Sequence, residues 1–195
     1  MSSSIDELQP LLAKALEIPE PFKRRLYVLG VITHAFAEES ASLLPILVGG
    51  GAVEFYSLGG YATYDIDVVV GNRDKFGAVL TELGFSKCPG ERHWYHEGLN
   101  IAIEAPDSVL AGSMERVATV DVEGLLVHII GIEDLIMDRI RACVYWRSTA
   151  DCEWASRMMA MHEDSMDWDY LEKQAKDERL SDTLLSLRHD DHRHR

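Results

Sequence analysis

The chain has 195 residues, of which 47% are hydrophobic and 27% charged, which excludes a disordered or fibrous protein and allows one good core with a small second lobe. With 19 basic against 33 acidic residues the net charge is −14, so long-range forces oppose RNA and DNA, and a nucleic-acid substrate would need a local basic patch. No apolar run approaches a membrane span and the opening MSSSIDELQP has neither a basic start nor an apolar segment, so a cytoplasmic protein without a membrane partner is expected.

Ile5, Leu8, Leu11, Leu12 and Leu16 recur at helical spacing, with Ser2 to Ser4 before them as caps and Pro19 and Pro21 expected to end the helix. A second amphipathic helix is expected from Phe22 to about Glu39, with Leu26, Leu29, Ile32 and Phe36 on one side. Its start carries Lys23, Arg24 and Arg25, which oppose the helix dipole; they are either a solvated charge run or the answer to an acidic neighbour or a phosphate.

The most informative stretch runs from Ile46 to Val70. The apolar run Ile46 to Val48 breaks into Gly49, Gly50 and Gly51, and a helix-compatible segment follows from Ala52 to Leu58. A strand, a glycine turn and a helix N-terminus present open backbone amides and a partial positive charge, which suit phosphate. After Gly59 and Gly60 come Asp65, Ile66 and Asp67, running into Val68 to Val70. On a strand the two carboxylates share a face while Ile66 and Val68 point into the core. Two like charges that close stay ionised together most readily around a divalent cation, and Mg2+ favours carboxylates together with phosphate oxygens. The alternative is a closely packed glycine loop and an Asp pair on a solvated strand edge.

A glycine pair after an apolar residue, a short helix and then an Asp-x-Asp between apolar residues resembles the nucleotidyltransferase superfamily that includes polymerase beta. The variant Gly49-Gly50-Gly51-Ala52 with Thr63-Tyr64-Asp65-Ile66-Asp67 is similar to small bacterial nucleotidyltransferase-like proteins, including the toxin of abortive-infection E systems. The resemblance implies Mg2+, with two ions expected, and a nucleoside triphosphate held at Gly49, Gly50, Gly51 and Thr63. It implies attack of an acceptor hydroxyl on the α-phosphorus with release of pyrophosphate.

Farther on, a helix is expected to open at Asn72 or Asp74 and to close at Gly84. His93 to His96 and Leu99 to Glu104 read as a hairpin around Glu97 and Gly98. Glu104 ends this strand. The resemblance implies a third carboxylate from a strand beside the Asp-x-Asp, which makes Glu104 a catalytic and metal-ligand candidate with Asp65 and Asp67; an exposed strand glutamate is the alternative. His93 and His96 differ in parity and make a poor metal pair. Thr119 to Asp121 and Leu125 to Ile130 form a further strand pair around Glu123 and Gly124.

From Ile132 onward only helices are expected: to about Trp146, from Thr149 through Met161, near Trp168 to Lys176, and to Leu187. Glu133, Arg139, Ala142, Arg147 and Asp151 are similar to a helical motif of the abortive-infection toxin group, with Arg139 standing where that group has lysine. This implies nucleotide-binding roles for Arg139 and Arg147, which two helical turns would place on roughly one face. The alternative is a surface helix with ordinary ion pairs and Asp151 as the next cap. Met158, Met159, Met161 and Met166 are expected to fill the core, and Cys88, Cys143 and Cys152, lacking close paired spacing, to act as small hydrophobes.

The fold expected is α+β: a nucleotidyltransferase-like mixed sheet with flanking helices over residues 1–131, a helical lobe over 132–188 and a flexible tail over 189–195. The function expected is Mg2+-dependent transfer of a nucleoside monophosphate from an NTP to an RNA (tRNA) or protein acceptor, as in a toxin with a cognate antitoxin-like protein. The rival is a non-catalytic relative that binds a nucleotide or a protein partner.

Overall fold

The structure, a computed structural model, describes residues 5–88 and 90–190. Ser2 to Ser4, expected as caps, and residues 191–195 of the expected tail lie outside the described residues. The chain divides between Ile130 and Gly131 into two compact units.

The first unit opens with α1 (Ile5–Lys14), which tightens into a 3-10 turn at Ala15–Glu17. Leu8, Leu12 and Ala15 are buried, but Leu16 is 59% exposed because the tighter winding rotates it off the apolar stripe. Pro21 does not end this helix as expected; it is the first residue of α2 (Pro21–His34), where its fixed φ and missing N–H cost nothing. Glu20 caps α2 by accepting from the amides of Phe22, at 2.9 Å, and Lys23. The helix stops at His34, short of the expected Glu39, and continues as turns.

A six-stranded mixed sheet follows, in the order β3-β4-β2-β1-β6-β5. Its strands are β1 (Ile46–Leu47), β2 (Asp65–Val69), β3 (Trp94–His96), β4 (Ile101–Asp107), β5 (Ala118–Val122) and β6 (Leu125–Ile129). Strand β1 pairs antiparallel with β2 and parallel with β6, and β2 pairs parallel with β4. The expected hairpins are present as β3/β4 and β5/β6, the latter turning through Glu123 and Gly124, both at positive φ. Helix α3 (Gly49–Tyr56) connects β1 toward β2, and α4 (Arg73–Glu82), capped by Asn72, connects β2 toward β3. In β2 the alternation is explicit: Ile66 and Val68 are buried while Asp65 and Asp67 are half-buried on the other face.

The second unit contains α5 (Ile132–Tyr145), α6 (Thr149–Met161), α7 (Trp168–Asp177) and α8 (Ser181–Asp190). Leu135, Ile140, Ala155, Leu171 and Leu184 are buried within it. Met158, Met159 and Met166 are buried as expected, whereas Met161 is 49% exposed. The cysteines correct their expected reading: Cys143 and Cys152 form a disulfide across the α5–α6 turn with Cα atoms 4.8 Å apart, and Cys88 is exposed. Residues far apart in helix count meet because the two helices fold back as a hairpin. Disulfides are rare in reducing compartments, so these cysteines lend no support to the expected cytoplasmic location. Among the described residues no helix is long and apolar enough to cross a membrane.

Candidate active site on the carboxylate face

Strand β2 supplies Asp65 and Asp67 from alternate positions, and the parallel pairing with β4 sets Glu104 directly opposite Asp67. Ala102 faces Asp65 in the same register, and its small side chain leaves that side of the face open. Because β3 pairs Trp94 with Ile103 and Tyr95 with Ala102, His93 lies beside Glu104 on the same face. His96, of opposite parity, turns away and packs edge-on to Phe85.

The glycines make the neighbouring wall. Val48, in extended backbone after β1, is the N-cap of α3, and the first turn of α3 is built from Gly49, Gly50 and Gly51 themselves, so the helix starts earlier than its apolar residues suggest. Gly49 sits at φ 58°, and a Cβ there would collide with the Asp67 carboxylate. The helix N-terminus therefore lies directly against Asp67, and the Gly50 amide favours its charged form.

Electrostatically the face is overcharged. Burial, then Asp65, then Glu104 push the Asp67 carboxyl up to about 6, against smaller opposing effects of the Gly50 amide and His93. Asp65 accepts from the Thr63 hydroxyl, which fixes the orientation of its carboxylate. Glu104 meets two side chains of the β3 side: Arg92 Nε lies 2.7 Å from Oε1 and His93 Nε2 lies 3.0 Å from Oε2. The Arg92 contact supplies charge without an aligned hydrogen bond, and Oε1 stays buried without a hydrogen-bond partner.

Behind the face lies a buried ion pair. Arg25 Nη2 of α2 donates to Glu54 Oε2 of α3 at 2.5 Å, with both side chains about as buried as the surrounding core. The same Glu54 oxygen accepts from the Thr63 amide at 3.3 Å, so Thr63 is held from behind by Glu54 while its hydroxyl holds Asp65 in front. Arg25 thus answers an acidic neighbour, one of the two roles open to the basic run at the start of α2. Neither Arg25 nor Glu54 was singled out as a site residue from the sequence, although a glutamate inside the otherwise apolar α3 was the available signal.

The structure thus brings together Asp65, Asp67, Glu104, Gly49, Gly50, Gly51 and Thr63. Among the described residues no three His, Cys, Asp or Glu side chains are gathered as a metal cluster. The donor set nevertheless suits a hard divalent cation, since it consists of carboxylate oxygens whose mutual repulsion such a charge would relieve.

Arg139 and Arg147 belong to the second unit. The Arg139 guanidinium donates to Asp151 Oδ1 at 2.8 Å and to Asp138 Oδ2 at 2.5 Å. Arg147 does not share a helix face with it: α5 ends at Tyr145, Trp146 caps it, and Arg147 is exposed at φ 54°. Asp151 is not the cap of α6 either; Ser148 is, accepting from the Asp151 amide at 3.3 Å. Glu133 is buried and accepts from the Asp167 amide at 2.9 Å, which ties the start of α7 to α5. Neither a protein-family model nor a curated protein matches the chain.

Proposed function

We propose that this protein is a Mg2+-dependent nucleotidyltransferase of polymerase-beta-like fold that moves a nucleoside monophosphate from an NTP to an RNA, such as tRNA, or to a protein acceptor. The observation that carries the reading is the register of β2 and β4, which sets Glu104 opposite Asp67 and on the same face as Asp65, against the N-terminus of α3. Asp65, Asp67 and Glu104 would hold the metal. Bound there, Mg2+ supplies neutralisation of the triphosphate and polarisation of the acceptor hydroxyl.

This chain's own residues do the positioning. The amides of the first turn of α3 orient phosphate oxygens, and Gly49 admits the close approach of the Asp67 carboxylate that a side chain would block. Thr63 and Glu54 keep the Asp65 carboxylate in one orientation, so little reorganisation is needed when substrate arrives. An acidic protein of charge −14 gains nothing from steering, so recognition of a polyanion rests on these short-range contacts. A toxin-like role and a cognate antitoxin-like partner rest on the sequence resemblance alone.

A second reading, a nucleotidyltransferase-like protein that binds a nucleotide or a partner without turnover, is favoured by one observation: Glu104 is already paired with Arg92 and His93. Incubation with each α-phosphate-labelled NTP, Mg2+ and total RNA or protein extract separates the two. Transfer of label with release of pyrophosphate is the expected result; metal-dependent binding without release would establish the second reading.

A further inference from the structure

We infer that Arg92 and His93 are placeholders for the metal, which hold Glu104 while the site is empty and, once Glu104 turns to the metal, pair with the triphosphate. The inference rests on the proposed nucleotidyltransferase reading of the same face and names residues that neither the motif nor the resemblance supplies.

Three features of the geometry support it. First, both side chains sit at the right carboxylate: Arg92 Nε is 2.7 Å from one Glu104 oxygen and His93 Nε2 is 3.0 Å from the other. They engage the one member of the triad that comes from the second strand. Second, the two partners are unequal in burial. The Glu104 side chain is 13% exposed and the Arg92 side chain 74%, so the carboxylate is fixed by the sheet while the guanidinium reaches in from solvent and can swing away. Third, the contact is incomplete. Glu104 Oε1 is buried and has no aligned hydrogen bond, so Arg92 neutralises it without satisfying it, and a better ligand would displace the arginine.

Two outcomes follow from exchanging one cation for another. When a divalent ion takes Glu104, the guanidinium is released beside the face, where the triphosphate carries its negative charge. Arginine is suited to that second role because its planar fork pairs bidentately with phosphate oxygens. Arg92 also lies in the same unit as the carboxylates, whereas Arg139 is engaged by Asp138 and Asp151. In this scheme the arginine competes with the metal before substrate binds and assists the substrate afterwards, so its removal affects the two ligands in opposite directions.

That opposition is the test. The full chain is titrated by calorimetry with MgCl2 alone, and then, at saturating Mg2+, with α,β-methylene analogues of the nucleoside triphosphates. Arg92→Ala is expected to bind Mg2+ alone several-fold more tightly than wild type and to bind the analogue roughly ten-fold more weakly. Arg92→Lys, which keeps charge but not the fork, should fall between wild type and Arg92→Ala in both titrations. An ordinary surface ion pair would move neither constant, and unchanged or weakened Mg2+ binding, or unchanged analogue binding, in Arg92→Ala overturns the inference. If wild type itself binds neither Mg2+ nor analogue, the underlying reading of the face fails first, and this inference with it.

Discussion

Two clusters of carboxylates in this protein are treated in opposite ways. On the β2/β4 face, Asp65, Asp67 and Glu104 crowd together, and the Asp67 carboxyl is pushed up to about 6 by burial and by the other two. In the α5–α8 unit, Asp138 and Asp151 share Arg139, Glu178 is held below the usual carboxylate range by Arg141, and Asp134 accepts from the Tyr170 hydroxyl at 2.8 Å. The second set has arginines and a tyrosine hydroxyl between its acids, whereas on the first face Asp65 and Glu104 still repel Asp67 although Arg92 and His93 lie beside Glu104. A set of charges that a fold leaves mutually repelling, when the same chain elsewhere pairs its acids closely, marks where a ligand is expected to complete the balance.

Removing one repelling charge from the β2/β4 face is expected to have the largest effect. Asp67→Asn is expected to weaken Mg2+-dependent binding of a triphosphate analogue on the order of a hundred-fold, consistent with a charged contact worth about 1.5–3 kcal/mol; calorimetry checks it, and wild-type affinity in the variant would remove Asp67 from the site. The same carboxyl gives a signed pH effect in metal-free protein. Its value is about 6 in the fold against 3.8 ordinarily, so the folded chain holds the proton more tightly than the unfolded chain. Its contribution to stability is complete below 3.8 and is lost as pH rises through about 6. Urea titrations across that window should show the loss in wild type and a flatter profile in Asp67→Asn.

In the α5–α8 unit, perturbation should cost stability and leave triphosphate binding unchanged. Reducing the Cys143–Cys152 disulfide, which closes a short loop of sequence separation 9, should destabilise the protein by about 2–3 kcal/mol, read as a lower urea midpoint in dithiothreitol. A Cys143→Ser variant should reproduce that loss without the reductant. Arg139→Ala should cost about 1–3 kcal/mol by leaving Asp138 and Asp151 without their shared cation, with triphosphate-analogue affinity unchanged. A ten-fold loss of affinity in Arg139→Ala, with stability intact, would instead give Arg139 the nucleotide-binding role that the resemblance implies.

The carboxylate face was legible because its signals are local. Alternation in Asp65 to Val69 places the two aspartates on one side, and Gly49 to Gly51 punctuate a strand-to-helix turn without reference to anything distant. Glu104 was legible only as a strand residue; its pairing opposite Asp67 depends on a crossover between β2 and β4 that no short pattern encodes. Opposite parity separates His93 from His96, and the same parity places His93 on the Glu104 side once the hairpin register is known. The Arg25–Glu54 pair joins two helices 29 residues apart, and only tertiary packing shows it. Cys143 and Cys152 look unrelated until α5 and α6 fold back on each other. Helical spacing alone puts Arg147 on the Arg139 face, because the left-handed residue that follows α5 is Arg147 itself, not the glycine that usually announces such a stop.

If the β2/β4 carboxylates hold Mg2+ as proposed, the cation relieves the repulsion between Asp65, Asp67 and Glu104. Thermal melting of wild type and Asp67→Asn at neutral pH, each with and without MgCl2, tests it most directly. Mg2+ is expected to raise the wild-type melting temperature and to leave the variant unchanged, and without Mg2+ the variant is expected to melt at or above wild type. A wild-type protein indifferent to Mg2+, together with an Asp67→Asn variant that melts lower, would contradict it.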